Sequence, residues 1–236
     1  MVTENRKISE AFLAATFEDC LRKKCFNEFP EFKLIAREIS CRQGIADFIT
    51  ISGHGLEKKY FAKINHVFDG STESYIKVFS LLRHLIPRSK KYIIENSGLS
   101  LKTIKSILTN LRHKKAILEL PNGYFILSPK WRIKSMELWA FELKISNWKR
   151  ALFQSLQYRA FADRLIIVFP VEKENLILKN IGQFKKFKIG VMVFDALKQK
   201  YKILLPPIKN KPASEAHRLF AFSRITSSIE TTIGIA

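Results

Sequence analysis

The stretch Glu137–Pro170, ELWAFELKISNWKRALFQSLQYRAFADRLIIVFP, decides the predicted fold. Two apolar runs, Leu138–Phe141 and Leu165–Phe169, flank an amphipathic segment that extends from Asn147 to about Phe161. Short apolar runs on either side of an amphipathic segment are typical of a strand, a helix and a second, parallel strand. The stretch therefore predicts a βαβ unit at the core of an α/β domain.

Charged residues interrupt two of the predicted strands. Glu142 and Lys144 end the first apolar run, and side chains two residues apart on a strand point to the same side of the sheet. Asp47 lies inside a further apolar strand, Ile45–Ile51, with the sequence IADFITI. Burying such charges without partners is energetically unfavourable. Their placement therefore indicates a functional site.

Two carboxylates and a lysine are the groups that hydrolysis of a phosphodiester requires. Asp47 and Glu142 can hold Mg²⁺ (or Mn²⁺) through hard oxygen ligands, while waters and the phosphate complete the coordination. The metal would lower the pKa of a bound water and stabilise the developing charge. Lys144 would orient that water or neutralise the phosphate in the transition state.

The overall charge indicates a polyanionic partner. Lys and Arg number 41 against 21 Asp and Glu, which gives a formal net charge of +20. Such an excess attracts nucleic acid or an anionic membrane. No apolar run is long enough to span a bilayer. Cys20, Cys25 and Cys41 are a sparse and odd set of cysteines, so we expect a reducing compartment, the cytoplasm. In that compartment we expect the partner to be nucleic acid and not a membrane.

The region 56–132 differs in character from its flanks, because it is richer in Lys, Arg and Ser. Its apolar spacing and its Pro121-Asn122-Gly123 turn predict helices followed by a β-hairpin. The predicted elements, in order, are helices at Glu73–Leu85, Arg88–Glu95 and Leu101–Lys114, the last capped by Ser100, and strands at Ala116–Leu120 and Tyr124–Leu127.

The segment Glu95–Leu127, ENSGLSLKTIKSILTNLRHKKAILELPNGYFIL, resembles the winged helix-turn-helix family. Basic charge is concentrated there, with eight Lys or Arg and one Glu between Arg88 and Lys115. The resemblance implies that Leu101–Lys114 is a recognition helix in a major groove, with lysines mostly on phosphates and a base read by Thr103 or Asn110. The implied DNA-binding residues are Lys102, Thr103, Lys105, Ser106, Asn110, Arg112 and Lys114.

The strand with Asp47, the strand with Glu142-x-Lys144 and the helix after it resemble the PD-(D/E)XK nuclease superfamily. The motifs GIADFIT and FELK carry the resemblance, although Ala46 stands where the family usually has proline. The resemblance implies a restriction-endonuclease-like α/β fold, in which helices flank a mixed sheet.

The large gap between Asp47 and Glu142 departs from the family, where both residues lie on neighbouring strands. The winged helix fits into this gap as an insertion. The predicted domains are therefore a discontinuous nuclease domain at 1–55 and 133–207, an inserted winged-helix domain at 56–132 and a C-terminal tail at 208–236.

Secondary site residues follow from the same resemblance. Gln154 and Tyr158 match a Gln-x-x-x-Tyr signature of one branch, which includes RecB-type nucleases, and they lie one turn apart on one helical face. They would support the metal site or contact the DNA backbone. The alternative is that Gln154 lies on the helix surface and that the phenol of Tyr158 packs at the edge of the core. The family also carries an acid on its first helix, for which Glu10 is the first choice and Glu18 the second. Glu38 is interpreted as structural.

The resemblance implies a Mg²⁺-dependent DNA endonuclease that acts on duplex DNA through a metal-activated water. Restriction or another defence against foreign DNA is the implied setting, by analogy with small stand-alone members. Cutting both strands with one site per chain requires a homodimer. The alternative function is a non-cleaving winged-helix regulator with an inactive nuclease-like domain, and RNA or branched DNA stays open as the substrate.

Overall fold

The computed structural model of the chain describes residues 9–41, 44–131 and 135–233. In chain order, the helices and strands are α1 (Glu10–Arg22), β1 (Phe32–Cys41), β2 (Gly44–Ser52), α2 (Lys58–Phe68), α3 (Glu73–Leu81), β3 (Arg88–Ser89), α4 (Lys90–Ser97), α5 (Leu101–His113), β4 (Ile117–Glu119), β5 (Tyr124–Leu127), β6 (Glu137–Leu143), α6 (Trp148–Gln157), β7 (Arg164–Pro170), α7 (Glu174–Lys179), α8 (Ile181–Lys186), β8 (Gly190–Asp195), β9 (Lys200–Leu205) and α9 (Glu215–Ile233). Short 3₁₀ turns lie at Pro129–Trp131, Tyr158–Ala160 and Val171–Lys173.

The chain divides into two compact units. The first comprises Met1–Gly53 and Met136–Ala213, and the second comprises His54–Ser135 and Ser214–Ala236. The predicted boundary between residues 132 and 133 lies outside the described residues. The structure differs from the predicted C-terminal tail at 208–236, because α9 is a long helix of the second unit whose Phe222 and Ile225 are fully buried.

A six-stranded mixed sheet forms the centre of the first unit, with the strand order β1-β2-β6-β7-β8-β9. β6, β7 and β8 run parallel to one another, and the remaining neighbours are antiparallel. Phe141 of β6 lies beside Ile166 of β7, with α6 connecting the two strands. This confirms the βαβ unit, the mixed α/β class and the flanking helices.

One face of this sheet packs against α1. Ser9 begins the helix by accepting a hydrogen bond from the N–H of Phe12, as the sequence predicted for this cap. Phe17 lies on the buried side of α1, and its ring centroid is within 5.7 Å of those of Phe48, Phe141 and Phe194. These phenylalanines form the core that fixes β2, β6 and β8 against the helix.

The other face of the sheet packs against α6 and α8. Side chains alternate along a strand, so Glu142 and Phe169 point away from the α1 side. The ring of Phe169 lies 6.2 Å from that of Phe184 on α8, and Phe184 lies 5.7 Å from Trp148 on α6. The two helices are therefore neighbours on the same face that carries Glu142.

The second unit packs helices against a three-stranded sheet of order β3-β5-β4. Ser100 caps α5 by accepting the N–H of Thr103, and Leu111 is buried on the inner face of that helix. α2 was not predicted from the sequence; its Phe61 packs against Phe222 of α9, with ring centroids 6.3 Å apart.

Within the described residues, no helix is long and apolar enough to cross a membrane.

Candidate active site

The two acidic residues of the predicted site occupy opposed positions on neighbouring strands. β2 and β6 are antiparallel, and Phe48 pairs with Phe141. Continuing this register by one residue sets Asp47 opposite Glu142. Side chains at opposed positions share one face of the sheet, with Cβ atoms about 4.5–5.5 Å apart. The sheet thus brings together two carboxylates that are far apart in the chain.

Asp47 is held by the backbone of the neighbouring strand. Its Oδ2 accepts a hydrogen bond from the N–H of Leu143 at 2.7 Å. Burial raises the pKa of Asp47, and the carboxylates of Glu10 and Glu38 act in the same direction. The hydrogen bond from Leu143 and the charge of Lys144 oppose the rise, but the net direction is upward.

Glu142 is the more deeply buried of the two acids, with only 2% of its side chain exposed. Burial, followed by repulsion from Asp47, raises the pKa of Glu142 to about 7. The hydroxyl of Tyr158, 2.8 Å from Oε2, and the charge of Lys144 oppose this rise. Glu142 is therefore poised to exchange its proton near neutral pH.

Tyr158 connects this carboxyl to the backbone of β2. Its hydroxyl oxygen lies 2.6 Å from the carbonyl oxygen of Ile45 and 2.8 Å from Oε2 of Glu142. One hydroxyl proton serves one acceptor at a time. The hydroxyl proton can therefore be donated either to Ile45 or to Glu142, and the two contacts together hold the tyrosine in place. Burial raises the pKa of Tyr158 above its usual range, so the phenol stays protonated.

Lys144 follows β6 directly and faces both the acids and the first helix. Its Nζ lies 2.8 Å from Oε1 of Glu10 and 4.0 Å from Oε1 of Glu142, and its side chain is 18% exposed. Glu18, the second choice for the helix acid, instead pairs with Arg22 at 2.7 Å and with Arg37 at 3.7 Å. Of the two candidates, Glu10 is the one that joins the cluster.

Gln154 stands apart from these contacts. It lies on α6, one turn before Tyr158, and its Oε1 is buried without a hydrogen-bond partner among the described residues. Glu38 is largely exposed and pairs with Arg37 at 3.2 Å. Its backbone adopts a left-handed φ of 52° in β1, beside the position of Asp47 in the neighbouring strand.

Two groups of the cluster escaped sequence reasoning, the N–H of Leu143 and the carbonyl of Ile45. Both belong to the backbone, so no residue type marks them in the sequence. Only the pairing of β2 with β6 could have located these two backbone groups, because it brings them close to the predicted side chains.

The donor set fits a magnesium ion. No group of three His, Cys, Asp or Glu side chains within 9–41, 44–131 and 135–233 is arranged to hold a metal. Mg²⁺, however, keeps several of its waters and is commonly bound through one or two carboxylates together with substrate phosphates. Asp47 and Glu142 could supply those two carboxylates once Glu142 has released its proton.

In the second unit, α5 presents part of the predicted DNA-binding set to solvent. Lys102, Lys105, Ser106 and Asn110 are exposed, while the apolar side of the helix is buried. Thr103 is half-buried, and its hydroxyl lies 2.8 Å from that of the capping residue. The exposed four therefore form the available face of the helix.

Two further predicted DNA-binding residues have partners within the second unit. Lys114 donates from Nζ to the carbonyl oxygens of Val67 and Asp69, at 3.0 and 3.2 Å. These carbonyls lie at the end of α2, a helix that the sequence did not predict. Arg112 is exposed and pairs with Glu119 of β4 at 3.0 Å.

Comparison of the chain with protein-family models, curated proteins and solved structures found no match. Function is therefore inferred from the residues and their geometry alone.

Proposed function

We propose that the chain is a Mg²⁺-dependent DNA endonuclease whose catalytic site lies in the first unit. The observation that carries this proposal is the convergence of Asp47, Glu142 and Lys144 at one end of β2 and β6. Support comes from the order of elements, in which an E-x-K strand pairs with the Asp strand and is followed by a helix and a parallel strand. This order fits a restriction-endonuclease-like fold.

Asp47 and Glu142 would hold the Mg²⁺, which supplies Lewis-acid stabilisation of the phosphate and lowers the pKa of a nucleophilic water. Lys144 would donate to a phosphate oxygen as negative charge develops, and its ion pair with Glu10 fixes its direction. Tyr158 would hold the carboxyl of Glu142 in place. Because Glu142 must be ionised to bind a cation, activity should rise as pH passes about 7.

The second unit would hold the duplex as an inserted winged helix. Its element order, α3, β3, α4, α5, β4 and β5 with the sheet order β3-β5-β4, supports this interpretation. In such a domain α5 would enter the major groove, where Lys102 and Lys105 would meet phosphates and Asn110 a base edge. Cleavage of both strands would require two chains, and restriction of foreign DNA is the setting that suits such an enzyme.

The decisive experiment is nicking of supercoiled plasmid in Mg²⁺ by the wild type, Lys144→Ala and Lys179→Ala. Lys179 is an exposed lysine of the same unit and serves as the matched control. We expect Lys144→Ala to lose nicking by about 100-fold or more, while its DNA affinity, measured in EDTA, stays at the wild-type value. A wild type that binds DNA but nicks it in neither Mg²⁺ nor Mn²⁺ would favour the non-cleaving regulator.

A further inference from the structure

The outer side of α6 exposes an aromatic ring. Phe153 has 62% of its surface accessible, whereas Ala151, Leu152 and Ser155 on the inner side of the helix are buried. A single exposed apolar residue is common on protein surfaces and indicates nothing by itself. Whether Phe153 marks a binding surface depends on the charges around it.

Two exposed cations of α6 flank this ring. Lys149 and Arg150 precede Phe153 by four and three residues, so they lie on the same side of the helix. Both are exposed, and within the described residues neither has an acidic partner. α6 contains no Asp or Glu. The usual explanation for surface cations, an intrahelical ion pair, therefore does not apply here.

The neighbouring helix extends the positive charge. α8 lies beside α6 through the contact between Trp148 and Phe184, and it exposes Lys185 and Lys186. α8 also contains no acidic residue. We name this surface the α6–α8 face and define it by Lys149, Arg150, Phe153, Lys185 and Lys186.

We propose that the α6–α8 face binds a single-stranded segment of nucleic acid, with its phosphates on the cations and an unpaired base stacked on Phe153. Basic grooves with interspersed aromatic rings bind single strands in this way. Bases within a duplex are already stacked on each other, so the ring gains nothing from fully paired DNA. This inference rests on the proposed function and names its substrate as duplex DNA that adjoins an unpaired segment.

The position of α6 couples this face to the catalytic cluster. The same helix leads into Tyr158, whose hydroxyl contacts Glu142 on the inner side. A helix with its side chains is about 10–12 Å across. A strand on the outer side is therefore within a few nucleotides of the carboxylates. An anionic membrane suits this face less well, because interfacial helices present a broad apolar side and α6 exposes a single ring there.

The test compares the wild type, Phe153→Ala and Phe153→Trp in EDTA, where no cleavage occurs. The probes are an oligothymidylate that carries one 2-aminopurine and a blunt duplex of the same length. We expect Phe153→Ala to raise the Kd for the single strand about fivefold or more and to abolish quenching of 2-aminopurine. Its Kd for the duplex stays unchanged, and Phe153→Trp restores both single-strand properties. Leu197→Ala, at a residue of the same unit that is 68% exposed, should behave as the wild type.

Equal weakening for both probes, or no change for either, would overturn this inference. So would binding to vesicles of phosphatidylserine and phosphatidylcholine that Phe153→Ala removes while single-strand affinity is kept. Plasmid nicking separates this inference from the proposed function. If the wild type nicks plasmid but Phe153→Ala keeps full affinity for the single strand, the proposed enzyme stands and only single-strand binding by the α6–α8 face is refuted.

Discussion

Replacing Glu142 by glutamine should remove a pH dependence from the stability of the first unit. Burial and the neighbouring Asp47 raise the pKa of Glu142 from 4.5 to about 7 in the folded chain. Between these two values the folded chain keeps a proton that the unfolded chain has released. Stability therefore falls as pH rises through this window, by at most about 3 kcal/mol for a shift of this size.

Glutamine keeps the shape of the side chain but carries no charge at any pH in this window. Its amide oxygen can still accept from Tyr158, so the local packing is preserved. We expect Glu142→Gln to match the wild type at pH 5 and to be more stable by about 2–3 kcal/mol at pH 8. For a chain of this size that difference raises Tm by about 4–12 °C.

The assay is urea and thermal unfolding in EDTA at pH values from 5 to 8, followed by circular dichroism. Glu172→Gln, at an exposed glutamate of the same unit, is the control and should follow the wild type. Mg²⁺ added at pH 8 should stabilise the wild type and leave Glu142→Gln unchanged, because the variant has lost a ligand. If stability changes with pH in the same way for the wild type and Glu142→Gln, the claim that Glu142 keeps its proton in the folded chain would be refuted.

Four further substitutions test other parts of the structure. Tyr158→Phe removes a hydroxyl that lowers the pKa of Glu142, so the nicking rate should reach half its maximum at a higher pH; an unchanged pH profile would contradict the contact. Lys102→Ala and Lys105→Ala should each reduce the slope of log affinity against log salt by about 0.9 in anisotropy titrations, and equal slopes would remove α5 from the DNA interface. Phe17→Ala should lower the free energy of unfolding by about 3–5 kcal/mol in urea, and a smaller loss would mean that the aromatic core collapses around the gap.

The clustering of the candidate side chains could be predicted because the two acids each break a local rule. Asp47 and Glu142 are acids within apolar strands, and such violations mark functional positions. The convergence of Lys144 with Glu10 also followed from the expected order of elements. The backbone partners of these side chains could not be predicted, because strand register depends on pairing between distant segments.

The second unit was harder to predict because tertiary packing overrides local preference there. α9 contains several β-branched residues after Ile225, which disfavour a helix, yet its buried Phe222 and Ile225 hold it in place. α2 was missed although its apolar residues, such as Phe61 and Ile64, recur at helical spacing and are buried. This omission had a consequence, because without α2 nothing indicated that Lys114 would bond to carbonyls at its end.

The pairing of Ser52 with Glu137 makes the second unit removable in principle. These residues face each other at one end of β2 and β6, so the long excursion between them starts and finishes where a tight hairpin turn would fit. Removal of the unit would also require truncation before α9, which belongs to it. A four-residue turn in place of residues 53–136 would lower the entropy cost of loop closure by about 2–3 kcal/mol. Asp47 and Glu142 lie at the opposite end of the same two strands, about 17 Å away. A different domain could therefore be inserted at the same place without altering the strand ends that carry Asp47 and Glu142.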